Sequence, residues 1–150
     1  MKTIVENRKI YHNFEIIKKY ISGISLFGFE VKAIKMGRVG IRDSFVRIIG
    51  DEAYITHLFV SILDDIKDRE KFNPTRKRKL LLNKNEIREI SKFLHQKGYT
   101  AVPMEIGIIG SKIKLEIVVV KGLRKYDKRE KEKLKSAKRE MEKALSQKYK

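Results

Sequence analysis

The chain has 150 residues with 36 Lys and Arg against 19 Asp and Glu, giving a formal net charge of +17 and a pI near 10.0. The absence of cysteine excludes disulfide scaffolds, thiolate zinc sites, iron–sulfur clusters and cysteine nucleophiles. With 41% hydrophobic residues the chain can bury a core. It has no long apolar run, so we expect a cytoplasmic protein that does not enter a membrane.

The charge is unevenly distributed. Residues 121–150 carry thirteen cations and five anions, whereas residues 1–120 carry 23 cations, 14 anions and nearly all the large apolar side chains. We therefore predict one folded basic domain over residues 1–122, followed by a strongly basic tail over residues 123–150.

Six segments of the body have the pattern of short strands. In 112–121 apolar residues alternate with charged ones, and Gly110-Ser111 before it is typical of a two-residue hairpin turn. Gly50-Asp51 indicates a second hairpin. These short strands predict a small antiparallel barrel or sandwich. The predicted strands are 11–17, 23–27, 44–49, 52–60, 102–109 and 112–121.

Three helices are predicted between and after these strands. One covers about residues 30–36 and ends at Gly37. The second begins with a capping box at Asn83 and Glu86, and Gly98 stops it. The third begins near Asp127 and has only a thin apolar line, so without a partner it would be marginal in water.

A basic run precedes three leucines in the second half of the body. Four consecutive cations, Arg76 to Lys79, stand immediately before Leu80-Leu81-Leu82. We expect the leucines to be buried and the cations to form a fixed positive patch on the barrel surface.

The sequence offers little for catalysis. The histidines His12, His57 and His95 fall in separate elements without metal-ligand spacing. Asp64 and Asp65 are neighbours in a charged loop, where their side chains diverge. The chain also has no Walker A or GxGxxG motif.

Binding of a polyanion is better supported, because Lys and Arg neutralise phosphates and release counterions. Tyr11 and Tyr126 lie beside cations and can stack on unpaired bases, although Tyr126 fits a plain surface role equally well. Phe14 fits the core better. Glu30 fits two roles, an anion in the first turn of a helix or an acceptor for base amino groups, and the pattern leaves both open.

Several motifs occur in the order and spacing of a known family. They are Asn7-Arg8-Lys9 with His12, then Gly28-Phe29-Glu30-Val31-Lys32, Asp43-Ser44-Phe45, the stretch 74–82, Lys121-Gly122 and Tyr126-Asp127-Lys128-Arg129. Together they resemble the small protein B family, the SsrA-binding proteins of bacterial trans-translation.

This resemblance implies a mainly β fold with flanking helices, an OB-like antiparallel six-stranded barrel, that grips the tRNA-like domain of transfer-messenger RNA without catalysis. It associates Asn7, Glu30 and Leu80-Leu81 with that grip. With the charge pattern, it predicts RNA contacts by Asn7, Arg8, Lys9, His12, Glu30, Lys32, Arg76, Lys77, Arg78, Lys79, Leu80 and Leu81.

The resemblance also implies a role for the tail on the stalled ribosome. The tail becomes helical in the empty messenger channel, near the decoding centre and the small-subunit ribosomal RNA. The predicted ribosome contacts are Lys125, Tyr126, Asp127, Lys128, Arg129, Lys133, Lys138 and Arg139. Further implied partners are elongation factor Tu and alanyl-tRNA synthetase, both acting through the RNA, and the chain is expected to be a monomer without cofactor or metal.

Two other functions fit parts of the pattern. One is a ribosomal-protein-like OB module that stays permanently in an assembled particle. The other is an RNA-processing nuclease using Asp64, Asp65 and a carboxylate of the tail.

Overall fold

The computed structural model of the protein describes residues 1–122, so the predicted tail 123–150 lies outside the described residues. Its strands are β1 (Lys2–Glu6), β2 (Phe14–Ile24), β3 (Val39–Gly40), β4 (Phe45–Ile49), β5 (Glu52–Thr56), β6 (Phe59–Val60), β7 (Arg78–Leu81), β8 (Tyr99–Ile109) and β9 (Lys112–Gly122). Its helices are α1 (Ile10–Asn13), α2 (Gly28–Lys35), a short 3₁₀ helix (Arg69–Lys71) and α3 (Lys84–Leu94).

Seven strands form one antiparallel sheet in the order β1-β8-β9-β2-β7-β5-β4, and β3 pairs with β6 in a separate two-stranded ladder. The sheet curls so that β4 comes beside β8, although these two strands are not hydrogen-bonded neighbours. The prediction of a mainly β, OB-like antiparallel fold with flanking helices is confirmed, and the barrel is open between β4 and β8.

The core lies inside this curled sheet. Residues pointing inward from neighbouring strands, such as Ile55, Leu80, Leu115 and Ile117, are at most 1% exposed, as is Ile90 from α3. Burying an aliphatic side chain of this size contributes about 1.5–3 kcal/mol. Burial of this face therefore fixes which side of each strand faces solvent.

Both predicted hairpins are confirmed. Gly110 has a φ of 63° and joins Ile109 to its partner Lys112, while Gly50 has a φ of 60° at the turn between β4 and β5. The capping box of α3 is also present, because Asn83 Oδ1 accepts from the Glu86 amide at 2.8 Å and Glu86 Oε1 accepts from the Asn83 amide at 3.1 Å.

Other predicted boundaries were wrong. Residues 11–17 and 23–27 are not two strands: Tyr11 lies in α1, and β2 is one long strand with a register shift near Ile17. The predicted strand 52–60 is divided at His57, whose φ of 64° interrupts the extended backbone. The six-strand prediction also missed β1, β3 and β7. The predicted third helix lies outside the described residues.

Candidate nucleic-acid interface

A buried ion cluster joins α2 to the start of β7. Glu30, in the first turn of α2, is 1% exposed. Its Oε1 accepts from the Phe27 amide at 2.8 Å and from Arg76 Nη2 at 2.5 Å, and its Oε2 accepts from Arg78 Nε at 2.7 Å. Both carboxylate oxygens are thus occupied within the protein.

The Arg78 guanidinium is the second centre of this cluster and is fully buried. Its Nη1 donates to the Leu58 carbonyl at 2.6 Å and to the Arg76 carbonyl at 3.2 Å, and its Nη2 donates to the Pro74 carbonyl at 3.0 Å. One side chain therefore fixes the segment before β6 and the segment before β7 against α2. The planar fork of arginine is suited to such multiple bonds.

The surroundings of the pair favour the charged form of Glu30 and oppose that of Arg78. Burial alone would raise the pKa of Glu30, but the hydrogen bonds from Arg76, Phe27 and Arg78 and the charge of Arg78 outweigh it, so the pKa is held below the ordinary value of 4.5. Burial lowers the pKa of Arg78, against the opposing effect of Glu30. An arginine stays protonated in proteins, so the cluster is an ion pair at neutral pH.

These positions correct the predicted surface patch. Arg78 and Glu30 are interior residues, because β7 alternates: Arg78 and Leu80 point inward while Lys79 and Leu81 point outward. The sequence left two roles open for Glu30. In the structure it is the anion in the first turn of α2, and it is buried. Any contribution of Glu30 or Arg78 to RNA binding must therefore act through the residues that they position.

Arg76 is the partly exposed edge of the cluster, with its side chain 26% exposed. Its guanidinium lies 4.2 Å from the centroid of the Phe27 ring, which stacks on Phe29 at 5.6 Å. Phe72 packs edge-on against Phe29 at 4.8 Å. Sequence reasoning missed this aromatic cluster, since Phe72 is more than forty residues from the other two rings in the chain.

Exposed cations lie on the outward face of β7 and at the residue just before it. Lys79 Nζ pairs with Glu52 at 2.8 Å, and Lys77 Nζ lies 4.5 Å from the centroid of the Tyr54 ring. Tyr54 Oη donates to Glu52 at 2.6 Å. Next to these cations Leu81 is 58% exposed, so of the predicted leucine pair only this member is available at the surface.

The N-terminal motif forms a second exposed area around α1. Asn7 is half-buried and its amide donates to the Met104 carbonyl at 2.7 Å. Arg8, Lys9 and His12 are exposed, and Arg8 pairs with Glu6 at 2.8 Å. Asn7 and Arg8 line a cavity of about 470 Å³ between the chain that joins β1 to α1 and the strands β2, β8 and β9.

Of the remaining predicted residues, Lys32, Asp64 and Asp65 are within the described part of the chain and the tail contacts are outside it. Lys32 on α2 is exposed and pairs with Asp65 at 3.9 Å, while Asp64 pairs with Arg69 at 3.1 Å. Within residues 1–122 there is no cluster of His, Asp and Glu able to hold a metal ion. None of the helices described there is long and apolar enough to cross a membrane. The predicted tail contacts Lys125, Tyr126, Asp127, Lys128, Arg129, Lys133, Lys138 and Arg139 lie outside the described residues.

Comparison with known proteins gives consistent matches over nearly the whole chain. Residues 4–147 match the family described as SmpB protein. The chain is 43% identical over 148 residues to the SsrA-binding protein of Carboxydothermus hydrogenoformans, covering 99% of each chain. It is 41% identical over 150 residues to that of Persephonella marina, covering 100% of this chain and 95% of the relative.

A solved structure gives a match of the same kind. Its chain, described as "tmRNA-SmpB: a journey to the center of the bacterial ribosome", is similar with a TM-score of 0.68 and 34% identity. The similarity covers 85% of this chain and 92% of the solved one.

Proposed function

The chain belongs to the SmpB protein family, and from this premise we propose that it is the RNA-binding adaptor of trans-translation. It binds the tRNA-like domain of transfer-messenger RNA and delivers that RNA to stalled ribosomes for rescue and peptide tagging. The observation that carries this proposal is the family match over residues 4–147, which includes both the barrel and the basic tail.

The barrel supplies the grip on the RNA. The exposed cations Arg8, Lys9, Lys32, Lys77 and Lys79 neutralise phosphates, and the partly exposed Arg76 supplies a guanidinium in a fixed orientation. Asn7, His12 and Leu81 are accessible for closer contacts with the RNA.

Three of the predicted residues are buried and act in other ways. Glu30 and Arg78 are positioning residues, because their bonds determine where Arg76 and the chain before β7 lie. Leu80 packs in the core and holds β7 in register with β5.

The tail makes the contacts with the ribosome. Residues 123–150 occupy the empty messenger channel, with Lys125, Tyr126, Asp127, Lys128, Arg129, Lys133, Lys138 and Arg139 contacting the decoding centre and small-subunit ribosomal RNA. Its surplus of cations over anions supports this assignment.

The protein acts as a cytoplasmic monomer without catalysis of its own. Elongation factor Tu and alanyl-tRNA synthetase work with it through the RNA that it holds.

The test is binding of the full chain to the tRNA-like domain of transfer-messenger RNA and to an ordinary tRNA across a salt series. Both should bind at low salt because of charge. We expect a large preference for the transfer-messenger fragment to persist at physiological salt. If the two affinities fall together, charge explains all the binding, and a permanent ribosomal module is the better description.

A matched pair of variants locates the grip. Lys9→Gln with Lys77→Gln removes two cations of the proposed surface, and Lys2→Gln with Lys112→Gln removes two exposed cations elsewhere. The first pair should weaken binding and reduce the slope of log affinity against log salt by about one to two. Equal losses with the second pair would contradict the proposed location.

A further inference from the structure

A glycine lies opposite Leu81, the exposed leucine of the proposed grip. Gly23 is in β2 and pairs with Leu81 on β7 and with Lys114 on β9. Directly paired residues point to the same face of a sheet, so a side chain at position 23 would lie beside Leu81 on the outward face. Gly23 is nevertheless buried, whereas Leu81 is 58% exposed. A neighbouring side chain therefore covers the glycine.

The side chain that covers Gly23 is that of Leu81. A Cβ added at position 23 would have three atoms of Leu81 as its nearest neighbours, Cβ at 3.2 Å, Cδ1 at 3.3 Å and Cγ at 3.6 Å. Carbon atoms in contact are usually about 3.5–4.0 Å apart. The Cβ atoms of directly paired residues are usually about 4.5–5.5 Å apart. Leu81 thus leans over Gly23 and occupies the space that a side chain there would need.

The backbone conformation does not explain this glycine. The φ of Gly23 is not positive, unlike that of Gly50 and Gly110, so alanine could adopt the same conformation. Glycine in the interior of a strand is unfavourable, because it loses more conformational freedom on folding than any other residue. Such a glycine often marks a place where another group approaches closely. Here that group is the side chain of Leu81.

Cations lie on both sides of this leucine. Lys79 is two residues earlier on the same face of β7, and Lys114 is on the strand beyond Gly23. A nucleotide suits this arrangement, because its phosphates can meet the cations while its base or ribose packs on the apolar side chain between them. We propose that Gly23 is a positioning residue for RNA binding, since it leaves the space into which Leu81 leans and so places the leucine between the two cations. This inference rests on the proposed function.

Alanine at position 23 should therefore move Leu81 and leave the barrel nearly unchanged. Leu81 is the last residue of β7 and is mostly exposed, so its side chain can move away without displacing the core. Leu80, one residue earlier, is 1% exposed and stays inside. A glycine with a purely structural role would instead lose stability without a specific movement of Leu81.

The test compares Gly23→Ala with Gly40→Ala in the full chain. Gly40 is a matched control, because it also lies in a strand opposite an exposed apolar residue, Phe59. A Cβ at Gly40 would be 3.7 Å from the Phe59 Cβ, which is an ordinary contact. Leu81→Ala, alone and combined with Gly23→Ala, completes a double-mutant cycle. Binding to the tRNA-like fragment is measured across a salt series, and thermal unfolding and methyl NMR spectra are recorded for each variant.

We expect Gly23→Ala to weaken binding at physiological salt by at least about fivefold, because part of the apolar contact is lost. The slope of log affinity against log salt should not change, since no charge is removed. The unfolding midpoint should stay within about 3 °C of the control. The methyl signals of Leu81 should shift, while those of Leu115 in the core should not. In the Leu81→Ala background, Gly23→Ala should change the affinity by less than about twofold.

Three results would overturn the proposal. The first is equal binding by Gly23→Ala and Gly40→Ala. The second is a loss as large in the Leu81→Ala background as without it, because Gly23 would then not act through Leu81. The third is a large fall in the unfolding midpoint with unmoved Leu81 methyl signals, which would assign Gly23 a purely structural role.

These outcomes are distinguishable from failure of the proposed function. If the unsubstituted chain prefers the tRNA-like fragment to ordinary tRNA and Gly23→Ala binds it like the control, only the inference on Gly23 fails. If the unsubstituted chain shows no such preference, the adaptor function itself fails, and the inference on Gly23 fails with it.

Discussion

Replacing Glu30 by alanine should destabilise the barrel strongly. The substitution leaves the fully buried Arg78 guanidinium without its counter-charge and removes the acceptor for Arg76 and for the Phe27 amide. Removing one partner of a buried ion pair costs about 3–5 kcal/mol. For a domain of this size, that cost corresponds to a fall of roughly 10–20 °C in the unfolding midpoint.

The assay is urea unfolding at 25 °C together with a thermal scan, with Glu52→Ala as the control. Glu52, like Glu30, is in an ion pair, with Lys79 at 2.8 Å. Both of these side chains are nearly half exposed, so water screens the pair. The control should therefore lower the midpoint much less. If Glu30→Ala and Glu52→Ala lower it equally, the argument from burial is refuted.

A double variant separates the ion pair from the other bonds of Arg78. Glu30→Met with Arg78→Met removes both charges, so it should destabilise less than the sum of the single changes. The double variant should still be less stable than the unsubstituted protein, because the carbonyls of Leu58 and Pro74 lose their donor. If the double variant loses as much unfolding free energy as the two single variants together, the two side chains are not directly coupled.

Three further predictions concern pH, the tail and the edge strand. Because the pKa of Glu30 is lower in the folded state, the stability that its ionised form contributes is fully present above about pH 4.5 and is lost as the pH falls through the folded-state pKa. Urea unfolding between pH 7 and pH 3 should show this fall in the free energy of unfolding. Glu30→Gln should make the free energy of unfolding depend less on pH over the same range. A chain ending at Tyr126 should bind the tRNA-like fragment within about twofold of the full chain but fail in a peptide-tagging assay, and equal loss of both would refute the division of labour. A Cβ on Gly107 would lie 2.4 Å from the Lys2 carbonyl oxygen, so Gly107→Ala should cost about 1–3 kcal/mol and increase hydrogen exchange in β1, whereas Gly28→Ala, with nothing within 4 Å, should not.

Local signals in the sequence were sufficient for some elements. The hairpin at Gly110 needs a positive φ, and the capping box of α3 needs only Asn83 and Glu86 three residues apart. Each of these features is complete within a few residues, so the pattern predicts it without knowledge of the rest of the fold.

Elements that depend on distant partners were missed. The register shift near Ile17 changes the phase of β2, so its residues do not alternate as one strand. β7 is short and half cationic, and the sequence around it predicts a surface patch. Only pairing with β2 and β5, and the contact with Glu30 48 positions earlier, explains why Arg78 points inward.

The same nonlocal contact changes how a mutation in the candidate site should be interpreted. Loss of RNA binding in a Glu30 variant fits a base contact when only the sequence is considered. In the structure, the carboxylate holds Arg76 at the surface and neutralises Arg78 in the interior. We therefore expect a Glu30 variant to lose RNA binding because Arg76 and the chain before β7 are no longer held in place. A direct base contact would leave the unfolding free energy nearly unchanged, whereas positioning requires that stability and RNA affinity fall together.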